Sequence, residues 1–323
     1  MRAGINFIFR WKTLPALLLV LTFVFMALAA PLISVPNDVL HPEVKVVGDK
    51  WDRIPHSPEA GSPLGTYTRQ WDVFHSLVWG TREALVFGLV TTLITAGFGI
   101  FVGAVSGFMG GRINSLLMRI TDAFITVPVI AGIAILAMFI GMIMAQFNTS
   151  PYVFFSGDVV NFDVPEGMEY FIWLYRFVDS LDVVMLGLIL FSWMPYARLI
   201  NSQVMRIKNS EFVEAARMLG AKNGRLIWKH LVPNAISPAI VFAAKDVGAM
   251  VVLRATFAYI GMGVPSTWAA MLLEGGRWVI GPGGNIIHYW WMFIPVTMTL
   301  ILFGLGWNLL GDEFNLWLNP KER

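Results

Sequence analysis

The chain has 323 residues, 56% of them hydrophobic and only 14% charged, with a net charge of +2. Soluble domains carry about 25% charged residues, so this composition points to a membrane protein and leaves no basic footprint for nucleic acid. The absence of cysteine excludes a disulfide framework, a thiolate metal site and a catalytic thiol. The five histidines (His41, His56, His75, His230, His288) lack metal-ligand spacing, so no metal site is expected.

A helix needs about 20 mostly apolar residues to cross a bilayer. Six stretches qualify: 14–35, 83–109, 117–145, 183–199, 236–262 and 286–310. The expected fold class is therefore an all-α integral membrane protein with six transmembrane helices. The first stretch follows Arg2, Arg10 and Lys12, and Ala27-Leu28-Ala29 looks like a cleavage site. Its apolar run exceeds the roughly 7–15 residues of a signal-peptide core, which favours an uncleaved anchor.

Residues 36–82 form an outer segment, rich in proline and charge up to Pro63. The second span carries Gly99, Gly103 and Gly107, continued by Gly111, one every fourth residue on nearly one helix face. Small residues at that spacing let a second backbone approach closely. Gly110-Gly111-Arg112 ends the span with a flexible turn. After the third span comes a second outer segment, 146–182, which is acidic and aromatic. Phe171, Leu174, Phe177 and Val178 recur there at helical spacing, as in an interfacial helix or a loop capping the bundle. The fourth span is the shortest.

Residues 201–234 form a basic inner loop. Within it, the stretch from Glu211 to Gly220 reads as an amphipathic helix with Phe212, Ala215, Ala216 and Leu219 on one face. Gly220 is placed to terminate it. A second short helix is expected from Gly224 towards His230, broken by Pro233. Two short helices across this face make a docking surface.

The lysines and arginines set the orientation. With the N-terminus inside, inner segments hold Arg2, Arg10, Lys12, Arg112, Arg119 and the cluster from Arg198 to Lys229, with Lys321 and Arg323 at the end. They outnumber the outer Lys45, Lys50, Arg53, Arg69, Arg82, Arg176 and Arg277. Both termini are thus expected in the cytoplasm.

Four charges fall within or near spans: Asp122, Lys245, Asp246 and Arg254. A charge at the bilayer centre costs roughly 2.5–3.5 kcal/mol on insertion scales and is rarely idle. Arg119 and Asp122 are spaced to pair on one helix face. Asp246 and Arg254, eight residues apart, lie on similar sides of the fifth span. Asp246 and Arg254 are therefore candidates to line a path across the membrane, with pairing to another helix as the alternative.

Glu214-Ala215-Ala216, Gly220 and Pro233 match the spacing of the EAA signature, and this loop resembles that of permease subunits of bacterial ABC importers. Pro63-Leu64-Gly65-Thr66, Asp72-Val73, Gly80 and Arg82 resemble the outer-segment signature of the dipeptide/oligopeptide branch. Gly103, Gly107, Gly110-Gly111, Met118-Arg119 and Asp122 are similar to its second and third helices. Gly261, Gly263, Val264, Pro265, Trp268 and Met271, and then Gly311-Asp312, Leu318 and Pro320, extend the likeness over most of the chain. Departures are Tyr67, Gln70 and Trp71 in place of Asp, Gly and Arg, Arg254 about where Glu is common, and a changed tail at Phe314, Asn315 and Asn319.

The resemblance implies a MetI-like type I importer fold, with a first helix within 1–35, an outer segment 36–82, a core 83–311 and a cytoplasmic tail 312–323. It implies that Glu214, Ala215, Ala216, Gly220 and Pro233 belong to a loop docked on an ATPase. It also implies as partners a second homologous permease, two ATPase subunits, an extracytoplasmic solute-binding protein and a prokaryotic plasma membrane. No phosphate-cradling GxxxxGK[ST] stretch is present, so ATP and magnesium are expected in the partner subunits and no cofactor in this chain. An ion-coupled secondary transporter is the alternative; it accounts for the intramembrane charges but not for the loop. A membrane enzyme would need clustered catalytic groups, and Glu274 and His288 lack a partnering pattern.

Overall fold

A computed structural model describes residues 13–37, 42–48, 52–146, 182–260, 262, 266–281 and 284–318. Among the described residues the regular elements are helices, and three isolated β-bridges at 46–72 are the extended pairing. The N-terminal basic residues, the 147–181 part of the second outer segment, Gly261, 263–265 and Pro320 lie outside them.

Helix α1 (Thr13–Ile33) packs on α2 and α11 through Ala16, Val20, Phe23, Ala27 and Ala30, a stripe at helical spacing. Its other face exposes Leu18, Leu21, Phe25, Leu28 and Leu32. Apolar residues left uncovered along a whole helix suit a lipid surround. Phe23 meets Phe303 edge to face at 5.2 Å.

Helix α2 (Val73–Met109) starts ten residues before the expected second span. Asp72 caps it, accepting from the amides of Phe74 and His75, so Trp79, Gly80 and Arg82 stand on its first turns rather than in a loop. At 37 residues it exceeds a bilayer crossing, and its first turns rise into the 42–72 segment.

The expected third span is a broken one. Helices α3 (Gly111–Thr126) and α4 (Val129–Gln146) meet at a bend of 84°. The cause is Pro128: it lacks an amide donor and forces the residue before it out of the helical region, and Val127 is extended at φ −78, ψ 119. The expected Arg119–Asp122 pair gives way to Asp122 with Arg198, at 2.5 Å, because the bend lays α3 against α6.

Helices α5 (Val183–Ser192) and α6 (Met194–Ile207) together make one 25-residue crossing. Then come α7 (Glu211–Met218), α8 (Asn223–Ala235), α9 (Ser237–Tyr259), α10 (Thr267–Ile280) and α11 (Trp290–Leu318). Pro233 does not break α8. Residues Leu226–Leu231 widen into a π-helical turn just before it, which accommodates its missing donor, and the chain bends by 65° only at Ile236. Among the described residues, four stretches (α1, α2, α5 with α6, and α11) are long and apolar enough to cross a membrane, and the number is six if each of the two bent pairs counts as one span.

The glycine stripe is where α2 crosses α6. A Cβ on Gly103 would lie 3.0 Å from the Ala197 Cα, and one on Gly107 3.0 Å from the Asn201 carbonyl. On Gly99 it would fall 2.5 Å from the Tyr196 Cβ. Between them Asn201 Nδ2 donates to Ser106 Oγ at 2.7 Å and to Asn114 Oδ1 at 2.6 Å, a polar clamp made possible by that proximity.

Candidate functional site

One end of the bundle holds a cavity of about 1200 Å³. Its walls are the 42–72 segment, the first turns of α2, the start of α5, Arg254 of α9, and α10. Arg254 is the hub. Its Nη1 donates to Glu83 Oε1 at 2.7 Å and its Nη2 lies 3.0 Å from Asp182 Oδ2. Its guanidinium also rests 4.3 Å from the centre of the Phe87 ring. Each carboxylate holds a helix start as well. Asp182 Oδ1 caps α5 through the amides of Val184 and Met185, and Glu83 Oε2 accepts from the amide and hydroxyl of Thr267 at 2.8 Å, at the start of α10. One arginine thereby joins α2, α5, α9 and α10. Its side chain is 11% exposed, so removing it would leave two carboxylates poorly solvated.

The 42–72 segment is bolted over the cavity by long-range bonds. The Tyr67 hydroxyl donates to the Met292 carbonyl at 2.8 Å, and burial, with Glu274 nearby, pushes that phenol well above its ordinary range. Thr68 donates to Glu274 and accepts from Trp278 Nε1. The Trp268 indole donates to the Leu77 carbonyl at 3.2 Å, lying where any Cβ on Gly80 would collide with it. At the segment's surface, the hydrogen bond from His56 and the Ile54 amide hold the Asp52 carboxyl below its usual value.

Arg69 and Gln70 both adopt left-handed backbone angles, φ 67 and 59. For non-glycine residues each costs on the order of 1 kcal/mol or more. Gln70 is kept there by its side chain, which accepts from Thr66 Oγ1 at 3.1 Å and donates to the Ile54 carbonyl at 3.0 Å. Gln70 stands where the resembled family usually has Gly, so hydrogen bonds here do what a missing Cβ would otherwise do.

Of the two path candidates, Arg254 lines this cavity, while Asp246 is bonded by the Tyr196 hydroxyl at 2.8 Å, between α6 and α9. Lys245, next to it, faces α11 and pairs with Asp312 at 2.5 Å. The sequence reading missed Glu83 and Asp182 as partners of Arg254. They sit at the edges of apolar runs, and 171 positions separate Glu83 from Arg254. The one signal was that an arginine buried in a span needs counter-charges.

At the other end lies the loop. Helix α7 closes in a left-handed glycine: Gly220 has φ 83, its amide bonds the Arg217 carbonyl, and the Ala221 amide reaches back to the Ala216 carbonyl at 3.0 Å. Val213 is fully buried against α8 and Ala216 half-buried. Of the expected apolar face, Ala216 is half-buried, whereas Phe212 is 44% exposed and Leu219 89%, beside Met218 at 82%. The described chain covers little of Met218 and Leu219 and about half of Phe212.

Residues 99–310 match the family model described as "Binding-protein-dependent transport system inner membrane component". The chain is 26% identical to the oligopeptide transport system permease protein OppC of Bacillus subtilis, over 95% of this chain and 85% of that one. It is 27% identical to the dipeptide transport system permease protein DppC of the same species, over 95% and 81%. It is also 27% identical to a probable D,D-dipeptide transport system permease protein of Escherichia coli, over 82% and 75%.

Proposed function

We infer the following for a chain that belongs to the binding-protein-dependent transport system inner membrane component family. It is a permease subunit, a multi-pass membrane component rather than an enzyme. Its solute is a short peptide, in keeping with the names of its relatives and with a cavity large enough for one. Helix α7 with Gly220 docks on an ATPase subunit at the cytoplasmic face, and the cavity faces outward, towards a solute-binding protein. A second permease and two ATPases complete the transporter.

The observation that carries this reading is the uncovered apolar face of α7. Phe212, Met218 and Leu219 stand out from a helix whose Val213 already anchors it to α8. Apolar side chains left exposed on a helix of eight residues, too short to cross a bilayer, call for a protein partner. A push on α7 passes to α8, turns the corner at Ile236 and runs along α9 to Arg254 in the cavity wall. Closure of the ATPases would thus change the cavity some 17 helical residues away, roughly 25 Å at 1.5 Å per residue. Alternation between inward and outward access follows.

The test is purification of the tagged chain in mild detergent from its native membrane. A second permease and ATPase subunits are expected with it, and the ATP hydrolysis of the complex is expected to lose its response to solute and binding protein on Gly220→Asp. Isolation of the chain alone, with uptake driven by an ion gradient, would overturn the reading.

A further inference from the structure

Five arginines and four carboxylates line the cavity, and their pairing is uneven. Arg254 is shared by Glu83 and Asp182, and Arg277 lies 3.4 Å from Glu274. Among the described residues, no carboxylate lies within ion-pair distance of Arg82, Arg69 or Arg53. Arg82 is also the best positioned of the three. It stands one residue before Glu83 on α2, so the helical turn of about 100° directs it away from the Arg254 hub. Its guanidinium lies 5.7 Å from the centre of the Trp79 ring, and that ring is buried and tethered by its Nε1 to the Ser34 carbonyl at 3.0 Å. A guanidinium backed by a fixed ring keeps its outer edge free for a planar, two-oxygen acceptor. Arg69 reaches the same cavity from a strained, left-handed backbone held by hydrogen bonds, and strain of that kind collects at ligand clamps.

We propose that the cavity contains a carboxylate-binding subsite, built on Arg82 with Arg69 beside it, which receives the carboxylate end of the translocated solute. That the occupant is a peptide rests on the function proposed above; the electropositive subsite does not. The natural absence of cysteine allows a direct measurement. Val86 lines the cavity one helical turn from Arg82 and is 56% exposed, so Val86→Cys presents a thiol there.

In the assembled transporter, with cysteines of the other subunits replaced, the thiol is labelled with methanethiosulfonates carrying either a sulfonate or a trimethylammonium. The anionic reagent is expected to react faster relative to a free thiol, and the ratio to fall roughly fivefold with Arg82→Gln while Arg82→Lys retains it. Alanyl-alanine is expected to protect the thiol better than its C-terminal amide, and the difference to vanish in Arg82→Gln. An unchanged ratio in Arg82→Gln, or equal protection by both dipeptides in the parent, would overturn the subsite. A ratio that falls with Arg82→Gln while neither dipeptide protects would support the anion subsite and overturn the peptide reading instead.

Discussion

At the cavity end, Arg254, Glu83, Asp182 and Thr267 hold one another across as many as 184 positions of sequence, and Tyr67 reaches Met292 across 225. At the loop end, the hydrogen bonds around Gly220 span three to five residues, and Phe212, Met218 and Leu219 face outward. The first region ties Arg254 to carboxylates of its own chain, while Arg53, Arg69 and Arg82 beside it have no carboxylate within ion-pair distance among the described residues. The second holds its own backbone together and leaves Met218 and Leu219 largely exposed. Under the function proposed above, the first region keeps the walls of a solute path in shape and the second offers a surface to a motor subunit.

The comparison breaks first at the hub. Arg254→Met strands the Glu83 and Asp182 carboxylates, 35% and 16% exposed, and is expected to cost about 3 kcal/mol, since breaking a partly buried pair leaves charge uncompensated. Thermal unfolding in detergent reads this. Full stability together with full transport would show that the hub is idle.

The two glycine positions sharpen the contrast. Gly103→Val drives a side chain into the Ala197 backbone and is expected to cost roughly 2 kcal/mol through forced separation of α2 from α6. Gly220→Ala has open space around it and only its positive φ against it, about 1 kcal/mol. Comparison of the two melting temperatures checks the order. Equal losses would mean that the crossing of α2 and α6 is more yielding than its spacing suggests.

Tyr67→Phe removes the donor to the Met292 carbonyl at a site 2% exposed, with an expected loss near 1 kcal/mol. The smallest stability effect is expected from Leu219→Asp, within about 0.5 kcal/mol, because the side chain touches little of its own chain. That variant is nonetheless expected to abolish transport-coupled ATP hydrolysis in the reconstituted complex. If it unfolds the permease instead, the face is part of this chain's own core and the docking role falls.

Hydropathy alone located the four long apolar stretches and the two bent pairs, because the demand for about 20 apolar residues is local and additive. Spacing alone marked the glycine stripe and the helix that Gly220 ends, since both are written within a few turns. Pro128 was also in plain view, but an average over a window blurs the single missing donor that bends the third crossing by 84°. At Pro233 the opposite happened: a π turn before it kept the helix going, an adjustment no residue type announces. Which carboxylates neutralise Arg254, which faces of α7 are covered, and which arginines stay unpaired were decided only by the tertiary structure. Those outcomes depend on distances between segments far apart in the chain, and a one-dimensional pattern specifies which groups need partners without specifying which ones they meet.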